Sequence, residues 1–230
     1  MSRSSWRVYR VTWRLVLGPV LAALSGCSDP VQVVPEDSFS NSVGMQMVAL
    51  STGYYVSRHE TTQGQYEDLM GTNPMSSPSP NCPVGSVTGD EAELFCVRLT
   101  ERERSKGTLP AGYVYRLPTF EQWCQYVADA ALDGSVTPVG GRGGSHLEGP
   151  LPVGSGEVNN LGLFDLRGNV SEYLAERYNT GSLTIVGASW DELRDDFLWV
   201  RNRAGFMNKD DKSPDVGFRC VLVQVGQGGE

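Results

Sequence analysis

The chain predicts an α+β protein, a single irregular, loop-rich domain with short strands scattered between helices. Three observations carry that expectation. Apolar residues recur at helical spacing in short windows, each opened by a capping signal. The strand candidates are brief and do not alternate regularly with helices, which argues against βαβ units and a parallel sheet. The connections are long, and 27 glycines and 13 prolines in 230 residues supply their turns. No internal repeat is visible.

The first residues read as a targeting segment rather than as fold. Arg3, Arg7, Arg10 and Arg14 form a basic region ahead of the apolar run Leu15 to Leu24. That run is too short to span a bilayer as a helix and fits a signal peptide. It ends in Leu24-Ser25-Gly26-Cys27, which resembles the bacterial lipobox and implies lipidation at Cys27. The expected organisation is a lipoprotein signal peptide at 1–26, a lipidated cysteine and linker at 27–43, a domain at 44–224 and a tail at 225–230. An acylated terminus would tether the domain to a membrane surface without spanning it. The localisation implied is the bacterial cell envelope, on the outer membrane facing the periplasm or on the cell surface.

Met45 to Leu50 and Gly53 to His59 predict two strands joined at Ser51-Thr52. Thr61-Thr62-Gln63 opens a short helix with Tyr66, Leu69 and Met70 as its buried stripe. Gly71 and Pro74 close it. Met75 to Val87, with three prolines and four serines, is an irregular loop. Thr88 to Glu91 is a capping box ahead of a helix that buries Ala92, Phe95, Cys96 and Leu99, with Glu101 to Lys106 as a solvated last turn. Tyr113 to Pro118 is a strand, and Thr119 to Gln122 a further capping box before the stripe Trp123, Cys124, Val127, Ala130 and Ala131. Leu132 to Asn160 reads as a surface loop. Gly140 to Gly144 within it lacks the strand-then-helix context of a phosphate cradle. Ser182 to Val186, Arg201 to Phe206 and Val216 to Val223 are the remaining strands.

Charge and cysteine content narrow the function. The formal net charge is −8. Loss of the four N-terminal arginines leaves 15 basic against 27 acidic residues, or −12. Such a surface opposes nucleic acid and does not attract anionic lipid. Beyond Cys27, an even set of Cys82, Cys96, Cys124 and Cys220 in an exported chain suggests two disulfides, with three possible pairings. There is no C-x-x-C spacing and there are only two histidines, which argues against zinc.

The densest chemistry lies in Asn160-Leu-Gly-Leu-Phe-Asp-Leu-Arg-Gly-Asn-Val-Ser-Glu-Tyr173. Leu161, Leu163 and Leu166 suit a core, Gly162 and Gly168 suit turns, and Asp165, Asn169 and Glu172 are hard oxygen donors. The residues alone fit equally a tight turn with polar bends. The segment resembles the Gly-Leu-Tyr-Asp-Met-x-Gly-Asn-Val-Trp-Glu-Trp signature of the formylglycine-generating enzyme, or sulfatase-modifying factor, family. Gly44-Met-x-Met-Val48, Ser57-Arg-x-Glu-x-Thr62, Met70-Gly-Thr-Asn-Pro74, Leu109 to Thr119 and Gly217-Phe-Arg219 follow in the family's order. The resemblance implies a C-type-lectin-like fold of the sulfatase-modifying-factor type.

That family oxidises a cysteine in a sulfatase peptide to formylglycine, with copper held by two thiolates. Those thiols follow a Gly-Gly-Ser-Tyr/Trp motif that survives here as Gly187-Ala-Ser-Trp190. Glu192 and Phe197 stand where the thiols belong, and no cysteine lies between Cys124 and Cys220. Copper is therefore not expected, because carboxylates do not replace soft thiolates. Ser189, Trp190 and Glu192, with the neighbouring Asp191, Asp195 and Asp196, are the candidates for a different chemistry. The resemblance further implies calcium on the Asn169 side chain, the Val170 carbonyl and the Glu172 carboxylate, three of the six to eight oxygens calcium takes. It also implies a Cys96–Cys220 disulfide. Cys82 and Cys124 then remain as a second bridge, as separate thiols or as a copper pair. The function expected is a lipid-anchored, non-catalytic binding or scaffolding module for an unknown protein or glycan. The alternatives are another chemistry on this fold, or the family's own oxidase activity.

Overall fold

A computed structural model describes residues 38–127, 148–156, 158–190 and 204–226. All of them fall in one compact unit, 32–230. Cys27, Glu192, Ala130, Ala131 and the Gly140–Gly144 run lie outside the described residues.

Among the described residues, three helices form where helix-start signals stand. Thr62 and Thr88 each accept the N3 backbone N–H, and Gln65 and Glu91 each reach back to the N-cap amide, so both boxes close. They open α1 (Gln63–Met70) and α2 (Gly89–Ser105). Thr119 and Gln122 exchange the same two bonds, at 3.1 and 3.0 Å, ahead of α3 (Phe120–Val127). Each box satisfies amides that the first helical turn leaves without partners. Gly71 ends α1 at φ 81°, a left-handed angle that suits glycine.

The described strands build two sheets. In the first, β1 (Phe39–Ser40), β2 (Gln46–Ala49), β3 (Tyr55–Ser57), β9 (Val221–Gln224) and β4 (Tyr113–Arg116) lie in that order, all antiparallel. In the second, β7 (Ala204–Asn208), β6 (Ser182–Val186), β5 (Ser171–Asn179) and β8 (Val216–Gly217) follow one another, with β5 and β8 parallel. Core lies on both faces of the first sheet. Met47 and Tyr55 join α1 and α2 in one cluster, whereas Val48, Val56 and Val221 pack with α3, Leu163 and Leu166 in the other.

Five expectations need correction. Val216 to Val223 is not one strand. It leaves the second sheet after Gly217 and enters the first at Val221, so Phe218, Arg219 and Cys220 bridge the sheets fully buried. A Cβ at Gly217 would meet the Val84 carbonyl oxygen at 2.3 Å, which is why glycine stands at this close approach. Ser171 to Tyr173, the end of the segment that fitted a tight turn, instead open the longest strand among the described residues, Ser171–Asn179. Glu103 is not solvated but 2% exposed, because its carboxylate accepts Ser42 N–H at 2.9 Å and the Thr108 hydroxyl at 2.7 Å. On α3, Tyr126 rather than Cys124 completes the fully buried stripe. Leu161 faces outward at 36% exposure while Leu163 and Leu166 enter the core.

Candidate functional site

The buried polar centre of the molecule forms around Arg219, at the crossing between the sheets. Its guanidinium donates to Glu172 Oε1 from Nε at 3.0 Å and from Nη2 at 2.9 Å. Nη1 reaches the Ser57 carbonyl at 2.9 Å and the Arg58 carbonyl at 3.3 Å, and Nη2 also reaches the Phe164 carbonyl at 2.8 Å. One side chain thus ties β3, the 158–170 loop and β5 together. The planar fork of arginine suits this multiple recognition. Burial opposes the Arg219 charge, but Glu172 outweighs it and holds the guanidinium above its usual range.

Two further carboxylates surround the pair. Glu60 is 1% exposed and accepts Val170 N–H at 3.0 Å and Asn169 Nδ2–H at 2.7 Å. Burial raises its carboxyl well above the ordinary range, and the charges of Asp165 and Glu172 push the same way. Asp165 accepts the amides of Gly154 and Gly156, at 2.5 and 3.1 Å. Burial pushes it up as well, against those two amides. Asp165 and Asn169 both hold left-handed backbone, at φ 54° and 67°, which bends the loop so that these side chains face inward.

The donor set expected for calcium is brought together but already engaged. Asn169 Oδ1 accepts Leu151 N–H at 2.9 Å, and its Nδ2 side serves Glu60. Glu172 is occupied by Arg219. A guanidinium on the only charged ligand competes with a cation, and these residues as arranged do not fit calcium. Among the described residues no cluster of three His, Cys, Asp or Glu is placed to hold a metal ion.

Of the residues expected for another chemistry, Ser189 and Trp190 are described and do not form a reactive group, while Asp191, Glu192, Asp195 and Asp196 lie outside the described residues. Ser189 is fully buried and donates to Asp215 Oδ2 at 2.8 Å, and the Ser213 hydroxyl donates to Oδ1 of the same carboxylate. No described histidine contacts this trio to act as a base. Trp190 donates its backbone N–H to the Asn169 carbonyl at 2.9 Å, which ties the Gly187–Trp190 motif to the signature loop.

Cys96 and Cys220 meet in the first core cluster with sulfurs 3.6 Å apart, as thiols rather than as the expected bridge. An S–S bond spans about 2.05 Å, so closure needs only a small approach. Burial pushes the Cys96 thiol well up, and Cys220 beside it adds to this. No disulfide joins Cys82 to Cys124. Cys82 instead contacts the Ser79 hydroxyl and the Pro150 carbonyl, while Cys124 lies on α3 against the second cluster. Sequence reading missed Glu60 and Arg219 as a unit. The isolated Glu in Ser57-Arg-x-Glu and the Arg ending Gly-Phe-Arg were the available signals.

Comparison with known proteins assigns the family. Residues 31–223 match the Sulfatase-modifying factor enzyme 1-like domain. The chain belongs to that family. The inactive C-alpha-formylglycine-generating enzyme 2 of Mus musculus is 32% identical over 162 residues, 60% of this chain and 52% of that protein. The chain therefore spans about half the length of that relative. Chaperone protein LppX of Paenibacillus barcinonensis is 25% identical over 217 residues, 68% of this chain and 77% of that protein. Among solved structures, PvdO from Pseudomonas aeruginosa superposes with a TM-score of 0.65 at 15% identity, over 83% of this chain and 99% of that one. The fold is thus the α+β, C-type-lectin-like fold of the sulfatase-modifying factors, in a single domain, as the sequence resemblance implied.

Proposed function

We propose that this chain is an envelope-anchored, non-catalytic member of the sulfatase-modifying factor family that binds a protein client. The observation that carries the reading is the absence of the family's thiol pair after Gly187-Ala-Ser-Trp190, where Glu192 and Phe197 stand instead. The retained serine supports it, since Ser189 is buried on Asp215. The relative bearing an inactive-enzyme name keeps company with this loss, and the relative named as a chaperone favours a protein over a glycan client. The lipobox-like Cys27 supports attachment at the envelope.

Two measurements test the reading. Incubating the protein with a cysteine-containing sulfatase-motif peptide, copper and oxygen is expected to leave the peptide mass unchanged. Conversion of the cysteine to an aldehyde overturns the non-catalytic part. Affinity capture from envelope extract is expected to retain a stoichiometric protein partner, and recovery of glycan alone overturns the choice of client. In the oxidising envelope, Cys96 and Cys220 are expected to close their short gap. A non-reducing peptide map that finds both alkylated removes that disulfide.

A further inference from the structure

A second arginine has the opposite circumstances to Arg219. Arg58 follows β3 and donates its backbone N–H to the Gln46 carbonyl at 2.7 Å. Its guanidinium lies over the Phe164 ring, 5.3 Å from the centroid. The Nε atom is buried without a hydrogen-bond partner. Among the described residues no carboxylate pairs with it. Leaving a buried charged donor unsatisfied costs free energy that a well-placed acceptor recovers.

Arg58 also lines a cavity of about 210 Å³ with Ser38, Phe39, Ser40, Gln46 and Val48. The strand registers explain why these residues converge. Ser40 pairs with Gln46 across β1 and β2, while their neighbours Met47 and Ser57 face the other way and are fully buried. The cavity therefore opens at the β1 edge of the first sheet. Two hydroxyls and an amide supply hydrogen-bonding groups, Arg58 supplies the charge and Val48 an apolar wall, while the Phe39 ring turns to Met47 and Tyr55 on the other face.

We propose that this cavity is a carboxylate-binding site, with Arg58 as the charged anchor. Arginine presents parallel N–H donors that match a carboxylate. A single cation in a chain of formal charge −8 favours a monoanion over phosphate. The volume suits a carboxylate on a short stem rather than a larger ligand. Two sources share this chemistry. One is the chain's own Glu36-Asp37, which immediately precedes Ser38 in sequence. The other is a separate molecule, such as the C-terminus of a bound peptide.

Nitrogen-15 NMR of the full chain at neutral pH, titrated with sodium acetate against sodium chloride of equal ionic strength, tests this. The Arg58 Nε–H and Gln46 side-chain amide resonances are expected to move saturably with acetate. If they do so in the native chain, the site is open to an outside carboxylate. If they do so only in the Glu36→Gln/Asp37→Asn variant, the chain's own acids fill it. Arg58→Gln is expected to weaken the response of Gln46 about tenfold or more. The Arg58 resonance of the native chain decides the matter even if that variant does not fold. Absence of saturable movement in both the native chain and the double variant overturns the proposal. So does movement that chloride reproduces, or an Arg58→Gln response of undiminished affinity.

Discussion

Arg219 and Arg58 sit in neighbouring parts of the same frame, and their difference separates structure from opportunity. Arg219 has no exposed surface, and each of its three nitrogens finds an acceptor. Arg58 is half-buried, stacks on Phe164 and leaves Nε without one. A saturated buried cation fixes geometry, whereas an unsatisfied one beside a cavity has capacity to bind. Removing Arg219 leaves Glu172 buried and unpaired and takes donors from three carbonyls. Arg219→Ala is therefore expected to cost about 5 kcal/mol or more and to prevent stable folding. Arg58→Ala loses a cation–π contact and is expected to cost about 1 kcal/mol or less. Urea unfolding of both variants makes the comparison, and similar midpoints would sink the distinction.

His59 lies beside both cations and sharpens the contrast through pH. Burial, with the charges of Arg219 and then Arg58 adding, lowers its pKa from 6.5 to about 4. The folded state holds His59 neutral where the unfolded chain is protonated. Its contribution to stability is complete above pH 6.5 and is lost as pH falls toward 4. Glu60 acts in the opposite sense. Its raised carboxyl favours the folded state below the unfolded pKa near 4.5, and that contribution is lost as pH rises. Relative to the native chain, His59→Gln is expected to flatten the acid-side loss and Glu60→Gln the loss toward neutrality. Denaturation midpoints from pH 4 to 7 read this, and variants that tilt the profile the same way contradict it.

Much of the frame was legible because its signals are local. Capping boxes at Thr88 and Thr119 are backbone chemistry written within four residues, and the helices begin where they stand; the helix start at Thr62 was legible too, though its box with Gln65 was not. β5 was not legible for a physical reason. Ser171, Glu172, Tyr173 and Leu174 are all buried, with Tyr173 in one core cluster and Leu174 in the other. A strand covered on both faces lacks polar–apolar alternation, and here Glu172 adds a charge to its interior. Glu103 was misread because a charged last turn is usually solvated, and its partner Ser42 lies 61 residues away. The polar centre joins residues 60, 165, 172 and 219, and no spacing rule connects positions so far apart. The motif Gly-Phe-Arg marked the place, while its role depended on the crossing between sheets.

Tyr126 offers a smaller test of the same logic. Its hydroxyl is buried without a hydrogen-bond partner, near enough to Glu172 and Arg219 for their charges to act on it. A buried polar group without a partner destabilises, whereas its apolar equivalent of the same shape does not. Tyr126→Phe is therefore expected to stabilise the domain by about 1 kcal/mol, read as a higher urea midpoint. A loss of stability means that the hydroxyl has a partner, and the polar centre then extends onto α3.

The smallest expected effect concerns calcium, where the family resemblance and the geometry disagree. Asn169, Val170 and Glu172 stand where the family's ligands stand, yet Arg219 occupies Glu172 and the Leu151 amide occupies Asn169 Oδ1. Calcium would have to displace a buried, bidentate guanidinium, and the displaced cation would then lack its counter-charge. That exchange is unfavourable unless several more oxygens enter the site. Chelation by EDTA, or addition of millimolar calcium, is accordingly expected to leave Tm unchanged. A clear rise with calcium, abolished in Asn169→Ala, would mean that Arg219 moves aside and that the buried centre has a second, metal-filled arrangement. In that event Arg219 is not fixed, and the contrast with Arg58 becomes one of degree.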